Sequence, residues 1–169
     1  QRVQQPRSQP PLAPPQRIAQ MAQVRALESS LSLLRSETAM LTQTAQAEVT
    51  AAQAAWCQAL VDISAAHDKG GQPAAKALAE KVIDAAYGYQ QGAVLFKPTL
   101  TTAPQTFRTT RDGALAYFVG GDKNFPADTG FALKGWRSVE IKNAALFISG
   151  DTATTMGNVS IKNKDGQVT

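Results

Sequence analysis

Apolar positions fall along this chain in successive patterns, and each predicts a different element. From Gln16 to Lys69 there is neither glycine nor proline, and Ala, Gln, Leu and Glu dominate, a helix-forming composition. Ile18, Met21, Val24, Leu27, Leu31, Leu34 and Leu41 recur mostly at steps of three and four, which draws one apolar stripe along a helix. A second register, Val49, Trp56, Leu60 and Ile63, is offset from the first. Either one long helix changes partners near Ala45, or two helices meet there. Residues 16–45 are read as a helical, coiled-coil-like extension able to pair with another chain. A solvent-exposed amphipathic arm, or a helix on the same domain, would show the same stripe. Gly70-Gly71 is the stop. Pro73 then opens a second helix over 73–86, at a first-turn position where its missing donor costs little; Leu78, Val82, Ile83 and Ala86 are expected to face the core. Trp56 is read as core, Cys57 as an inert buried thiol, and His67, in the last turn before the stop, as a cap or surface residue.

After Gly92 the pattern changes. Ala93–Leu100, AVLFKPTL, is predicted to be a strand, with Val94, Phe96 and Leu100 on one face and Leu95, Lys97 and Thr99 on the other. Pro98 places it at an edge or a strand end. A polar turn, TTAPQ, follows. The run Thr110–Val119 reads as a short helix capped by Thr110, or as a strand on account of its aromatic and β-branched end. Residues 122–130 are a loop. From Trp136 the period becomes two: over Trp136–Lys142, Val139 and Ile141 point in while Glu140 and Lys142 point out. Ala144–Ser149 is more continuously apolar, Gly150-Asp151 is a turn, and 152–162 alternates again. Lys164-Asp165-Gly166 signals a hairpin into a returning strand. Helices first and an antiparallel sheet afterwards make an α+β domain. The chain stops as its last hairpin turns back, which would leave a sheet edge unpaired, so the domain is expected to be incomplete as given.

Composition alters this picture in a few places. Residues 1–15 hold five of the nine prolines and are read as a disordered or polyproline-II tether. Charged residues make up 18% and the net charge is +4, but no cluster of Lys and Arg with interleaved aromatics occurs, so a nucleic-acid footprint is unsupported. No apolar run is long enough to cross a bilayer. With one cysteine and one histidine, an intrachain disulfide, a three-histidine metal site and a two-cysteine-one-histidine site are all excluded within one subunit. The chain starts at Gln1, so its true start is expected to have been cleaved or left out. Together with the tether this favours an exported or periplasmic protein over a cytoplasmic one.

The stretch Tyr87–Trp136 concentrates the candidate chemistry. It carries all three tyrosines, one of the two tryptophans and five of the six phenylalanines, with threonines interleaved. That mixture suits an apolar pocket with a few placed polar groups, and it equally suits the core of an α+β domain. There is no phosphate-cradling glycine motif and no Ser–His–Asp order that one histidine could complete. Hydroxyls remain: Thr99 and Tyr117. Neither is a base at neutral pH without a depressed pKa, but both can donate to an oxyanion and orient a water. The plain alternatives are a strand-edge threonine and a core ring with a satisfied hydroxyl.

Leu95-Phe96-Lys97-Pro98-Thr99, Thr106-Phe107-Arg108, Arg111-Asp112-Gly113-Ala114-Leu115-Ala116-Tyr117-Phe118, Gly130-Phe131-Ala132-Leu133-Lys134-Gly135-Trp136 and Met156-Gly157-Asn158-Val159 occur in this order. Together they resemble the iota class of carbonic anhydrases over roughly 46–169; the start of the chain and the first half of the long helix lie outside the resemblance. It implies a cone-shaped, ketosteroid-isomerase-like α+β fold, with N-terminal helices packed on a curved antiparallel sheet and a homodimer or higher homo-oligomer as the assembly. It also implies reversible hydration of CO2 to bicarbonate, with no cofactor, although zinc or manganese has been assigned to some members. By the same resemblance, Thr99 and Tyr117 contact bicarbonate and water, and Phe96, Phe131 and Trp136 line the substrate pocket. The family continues with a Trp-Gly-Phe strand and a His-His-Ser-Ser strand that this chain lacks; a histidine and a serine from the latter would complete the pocket. Two rivals are a non-catalytic cone-fold association module and an isomerase on the same fold, which would need Asp112 as its carboxylate base near Tyr117.

Overall fold

The structure, a computed structural model, describes residues 13–169. The expected tether, up to residue 12, lies outside the described residues. The chain divides into two compact units, with the boundary between Ala45 and Gln46.

Helix α1 spans Pro14–Ala86. It starts two residues before the predicted point because Pro14 and Pro15 occupy its first turn, where backbone N–H groups have no helical acceptor. The N–H of Ala13 donates to Gln16 Oε1 at 3.1 Å. In the first unit the whole apolar stripe is exposed, from 48% at Val24 to 72% at Leu41. The predicted stop is real: Gly71 has φ 68° and ψ −167°, outside helical space, a region open to glycine and strained for other residues. Pro73 sits in the first turn of the helical segment that follows and runs to Ala86.

The core lies in the second unit. Leu60, Ile63, Ala75, Ala79 and Ile83 of α1 pack with helix α2 (Arg111–Val119), Trp136 and Ile161. Leu78 and Val82 flank it as expected, whereas Ala86 is exposed and Ala75 and Ala79 take the buried positions. Thr110–Val119 is a helix, not a strand. Thr110 is extended and its Oγ1 accepts from the Gly113 N–H at 3.3 Å, a cap that satisfies one of the first free donors.

Strands β1 (Trp136–Ser149) and β2 (Thr152–Asn163) form an antiparallel pair running from Trp136↔Asn163 to Ser149↔Thr152. The two predicted strand pieces, Trp136–Lys142 and Ala144–Ser149, are one strand interrupted by a register shift between Asn143 and Ala145. Gly157 faces that shift, where a Cβ would clash with the Lys142 carbonyl oxygen. Val168 bridges to Lys162, and the backbones of Ile161 and Thr169 exchange hydrogen bonds of 2.8 and 2.9 Å, so the returning strand begins where the turn signal placed it.

Ala93–Leu100 is not a strand, contrary to expectation. Pro98 has no N–H for a ladder, and the segment bonds locally. Phe96 N–H donates to the Val94 carbonyl, and only the Phe96 carbonyl reaches across, accepting from Arg108 N–H; both are 2.9 Å. The alternation survives in part: Phe96 and Pro98 turn inward, while Leu95 is 96% exposed. Leu100 is exposed as well.

Candidate functional site

Helix α2 delivers Tyr117. All residues from Gly113 to Val119 are buried, so the helix is held on most of its circumference and the ring has little freedom. Phe131 stacks on Tyr117 with centroids 5.3 Å apart and planes at 15°, an offset-stacked range. Phe96 meets Tyr117 edge-on at 6.0 Å. Trp136 continues the row, 5.6 Å from Phe131. Its indole N–H donates to the Phe131 carbonyl at 2.7 Å, and its backbone N–H donates to Ser64 Oγ at 2.7 Å. Ser64 is fully buried on α1. Thus Phe96, Tyr117, Phe131 and Trp136, which span 41 positions from Phe96 to Trp136 counted inclusively, form one aromatic row anchored to the long helix.

A cleft of about 210 Å³ opens against this row, lined by Leu100, Tyr117, Asp128, Thr129, Phe131 and Lys134, with Ala127 at its wall. At ~30 Å³ per liquid water, it has room for a triatomic molecule and several waters. Burial pushes the Tyr117 phenol up to about 12; Asp128 nearby adds to the rise, while the Leu100 backbone and Arg108 pull the other way. The phenol is therefore a neutral donor throughout the physiological range. Thr99 is exposed and does not line the cleft; its neighbour Leu100 does. The structure thus joins Phe96, Phe131 and Trp136 to Tyr117 in one row; Tyr117 and Phe131 line the cleft, whereas Phe96, Trp136 and Thr99 do not.

Asp128 is a carboxylate that sequence reasoning missed. Asp112, the carboxylate base that an isomerase would need, lines a separate depression with Lys76, Glu80 and Lys123. Asp128 instead faces the cleft and forms a bidentate pair with Arg108, both oxygens lying 2.9 Å from Nη2. The two side chains are 2% and 7% exposed. Arg108 Nη1 donates to the carbonyls of Gln105 and Phe107, and its guanidinium lies 4.7 Å from the centre of the Phe125 ring. Its Nε has no partner among the described residues. A side chain at Gly113 would meet Arg108 and Phe125 at 3.1 Å, so the glycine near the start of α2 makes room for this pair. The signal in the sequence was weak: an arginine and an aspartate 20 positions apart, with no periodicity to join them.

Other candidates lie elsewhere. A larger depression, about 510 Å³, runs between α1 and β1 and is lined in part by Gln53, Cys57, Arg137 and Glu140. Burial pushes the Cys57 thiol up, which suits an unreactive thiol. His67 is half-buried and lines none of these clefts. Among the described residues, no group of three or more His, Cys, Asp or Glu could hold a metal ion, and no helix is long and apolar enough to cross a membrane.

A family model described as metal-independent carbonic anhydrase matches residues 47–169. The chain belongs to the metal-independent carbonic anhydrase family. A metal-independent carbonic anhydrase from Nostoc sp. (strain PCC 7120 / SAG 25.82 / UTEX 2576) is 68% identical over 124 residues, which is 73% of this chain and 60% of that protein. The chain therefore spans about 60% of the length of the curated relative it matches. A crystal structure of the iota-carbonic anhydrase from a cyanobacterium, complexed with bicarbonate, superposes with a TM-score of 0.72 at 69% identity. That match covers 73% of this chain and 75% of the other. The family named from five short motifs is the family found, and the α+β class is shared. All the residues quoted for the pocket lie inside the matched range; the exposed stripe of the first unit lies outside it.

Proposed function

We propose that this chain carries the pocket of a carbonic anhydrase that interconverts CO2 and bicarbonate with no metal of its own. Family membership is the observation that carries this reading, and the setting of Tyr117 agrees with it. CO2, which is apolar, rests against Phe131 beside Tyr117, with Phe96 and Trp136 supporting these two rings from the same row. A water in the cleft, on the side where the exposed Thr99 adjoins Leu100, bonds through its oxygen to the CO2 carbon. One C–O π pair moves onto oxygen, and the water's proton passes to solvent. Charge then grows on the substrate oxygens. The Tyr117 hydroxyl, held protonated, donates to them, and the Lys134 ammonium adds positive charge across the same cleft. The same reading gives the second unit the cone-shaped, curved-sheet form of its family, supported by the likeness to the bicarbonate-bound relative. It also makes the protein an exported homo-oligomer in which residues 16–45 act as a coiled-coil-like arm.

The test is stopped-flow CO2 hydration by the full-length protein, with and without a chelator. Removing one oxyanion donor costs about 100-fold or more in turnover, so Tyr117→Phe is expected to lose that much while its circular dichroism and unfolding midpoint stay unchanged. Chelator should leave turnover unaltered. Near-normal turnover in the Tyr117→Phe protein, or activity that chelator abolishes, would overturn the assignment.

A further inference from the structure

The apolar stripe of the first unit has no cover among the described residues of that unit, and the charges beside it point to what covers it. Val24, Leu31, Thr38 and Ala45 are spaced by seven, and so are Leu27, Leu34 and Leu41, three positions further on. These are the a and d positions of a heptad. Leu27, Leu31, Leu34 and Leu41 are 60, 52, 59 and 72% exposed on a continuous helix. Ile18 and Met21 precede the frame, and Leu33 and Met40 lie off it.

The flanking positions discriminate between the two ways a second copy could lie there. In a parallel, in-register pair each g residue faces the e residue five places on: Gln23 with Glu28, Ser30 with Arg35, Glu37 with Thr42. None of these joins opposite charges. In an antiparallel pair e faces e. If Leu31 of one copy shares a layer with Leu34 of the other, then Val24 meets Leu41 and Leu27 meets Thr38. In that same register Glu28 stands beside Arg35, twice, by the two-fold symmetry. Among the described residues, neither Glu28 nor Arg35 has an ion-pair partner within its own chain.

We propose that residues 24–41 of two copies of this chain pair as an antiparallel two-stranded coiled coil, with reciprocal Glu28–Arg35 contacts on its flanks. The proposal rests on the coiled-coil reading of the arm and is independent of the carbonic anhydrase reading.

The ends of the segment give a clean test. Val24 and Leu41 are 17 residues apart, about 25 Å along a helix, so a cysteine at one end reaches only one kind of partner. In the full-length chain with Cys57→Ala, a size-tagged Val24→Cys protein and an untagged Leu41→Cys protein are mixed and mildly oxidised. The expected product is the mixed disulfide dimer, in at least fivefold excess over either homodimer. Homodimers in excess would overturn the antiparallel arrangement while keeping the coiled coil. No disulfide of either kind would overturn the pairing and the coiled-coil reading together. In the same assay Glu28→Arg and Arg35→Glu should each lower the mixed dimer several-fold, and the double reversal should restore it. Single reversals without effect would overturn the assigned register. CO2 hydration in all these preparations should match the parent protein, since none of the changed residues touches the cleft.

Discussion

Replacing Asp128 by asparagine isolates the buried ion pair that adjoins the cleft. Two unit charges about 4 Å apart attract by about 4 kcal/mol at an effective dielectric near 20. Against this stands a desolvation cost of several kcal/mol per ion, so the intact pair adds little net stability. Breaking it is another matter. With side chains only 2% and 7% exposed, the Arg108 guanidinium cannot regain water when its carboxylate is gone. Its Nε is already unpartnered, and Nη1 rests on neutral carbonyls. Removing one partner of such a pair costs about 3–5 kcal/mol. Asparagine still offers one oxygen, and the Phe125 ring retains a cation–π contact of about 1 kcal/mol, so the expected loss is near the lower end, about 3 kcal/mol.

Urea unfolding followed by tryptophan fluorescence reads this directly, because Trp136 belongs to the same aromatic row. With a slope of about 1.5 kcal/mol per molar urea, the midpoint should fall by about 2 M. A fall of less than about 0.5 M would refute the claim that Arg108 is held in place by charge. The apolar double replacement, Arg108→Met with Asp128→Leu, separates charge from packing. It removes both ions at once and should lie within about 1 kcal/mol of the parent, since buried pairs are often replaceable without loss. If the double variant is as damaged as Asp128→Asn, packing and not charge is the cause.

Two further outcomes follow from the same geometry. The Tyr117 and Tyr89 phenols are raised from 10 to about 12, chiefly by burial, so the folded state holds these protons more tightly than the unfolded chain does. Their contribution to stability is whole below pH 10 and is lost as pH climbs towards 12; urea midpoints at pH 9 and 11 should show the fall, and Tyr117→Phe should lessen it. Ser64→Ala leaves the buried N–H of Trp136 without its 2.7 Å acceptor, at a cost of about 1–3 kcal/mol that the same unfolding assay detects; an unchanged midpoint would mean that water or a shifted carbonyl takes the place of the hydroxyl.

What could be read from the chain in advance tracks the range of the signal. Signals within a few residues were reliable: Gly71 and Pro73 divide α1 where expected, Thr110 caps α2, and the turn after Asn163 sends the chain back towards Ile161. The strand predicted for Ala93–Leu100 failed because alternation says which side chains point inward, not whether a neighbouring backbone is there to pair. Phe96 and Pro98 did turn inward, but Pro98 brings no donor and the segment closes on itself. Thr99 was placed in the site by resemblance to other sequences, and periodicity could not have shown that its side chain is exposed beside the cleft instead of within it. Asp128 marks the outer limit. Its partner Arg108 is 20 positions earlier, in a loop, and the two meet because Gly113 leaves space and because α2 turns between them. A charged residue in a polar loop reads as solvated until a fold encloses it. The arm shows the opposite case. There the three- and four-residue apolar steps are local enough to read directly, and the leucines of the stripe are exposed, which is the surface that the proposed pairing of two copies would cover.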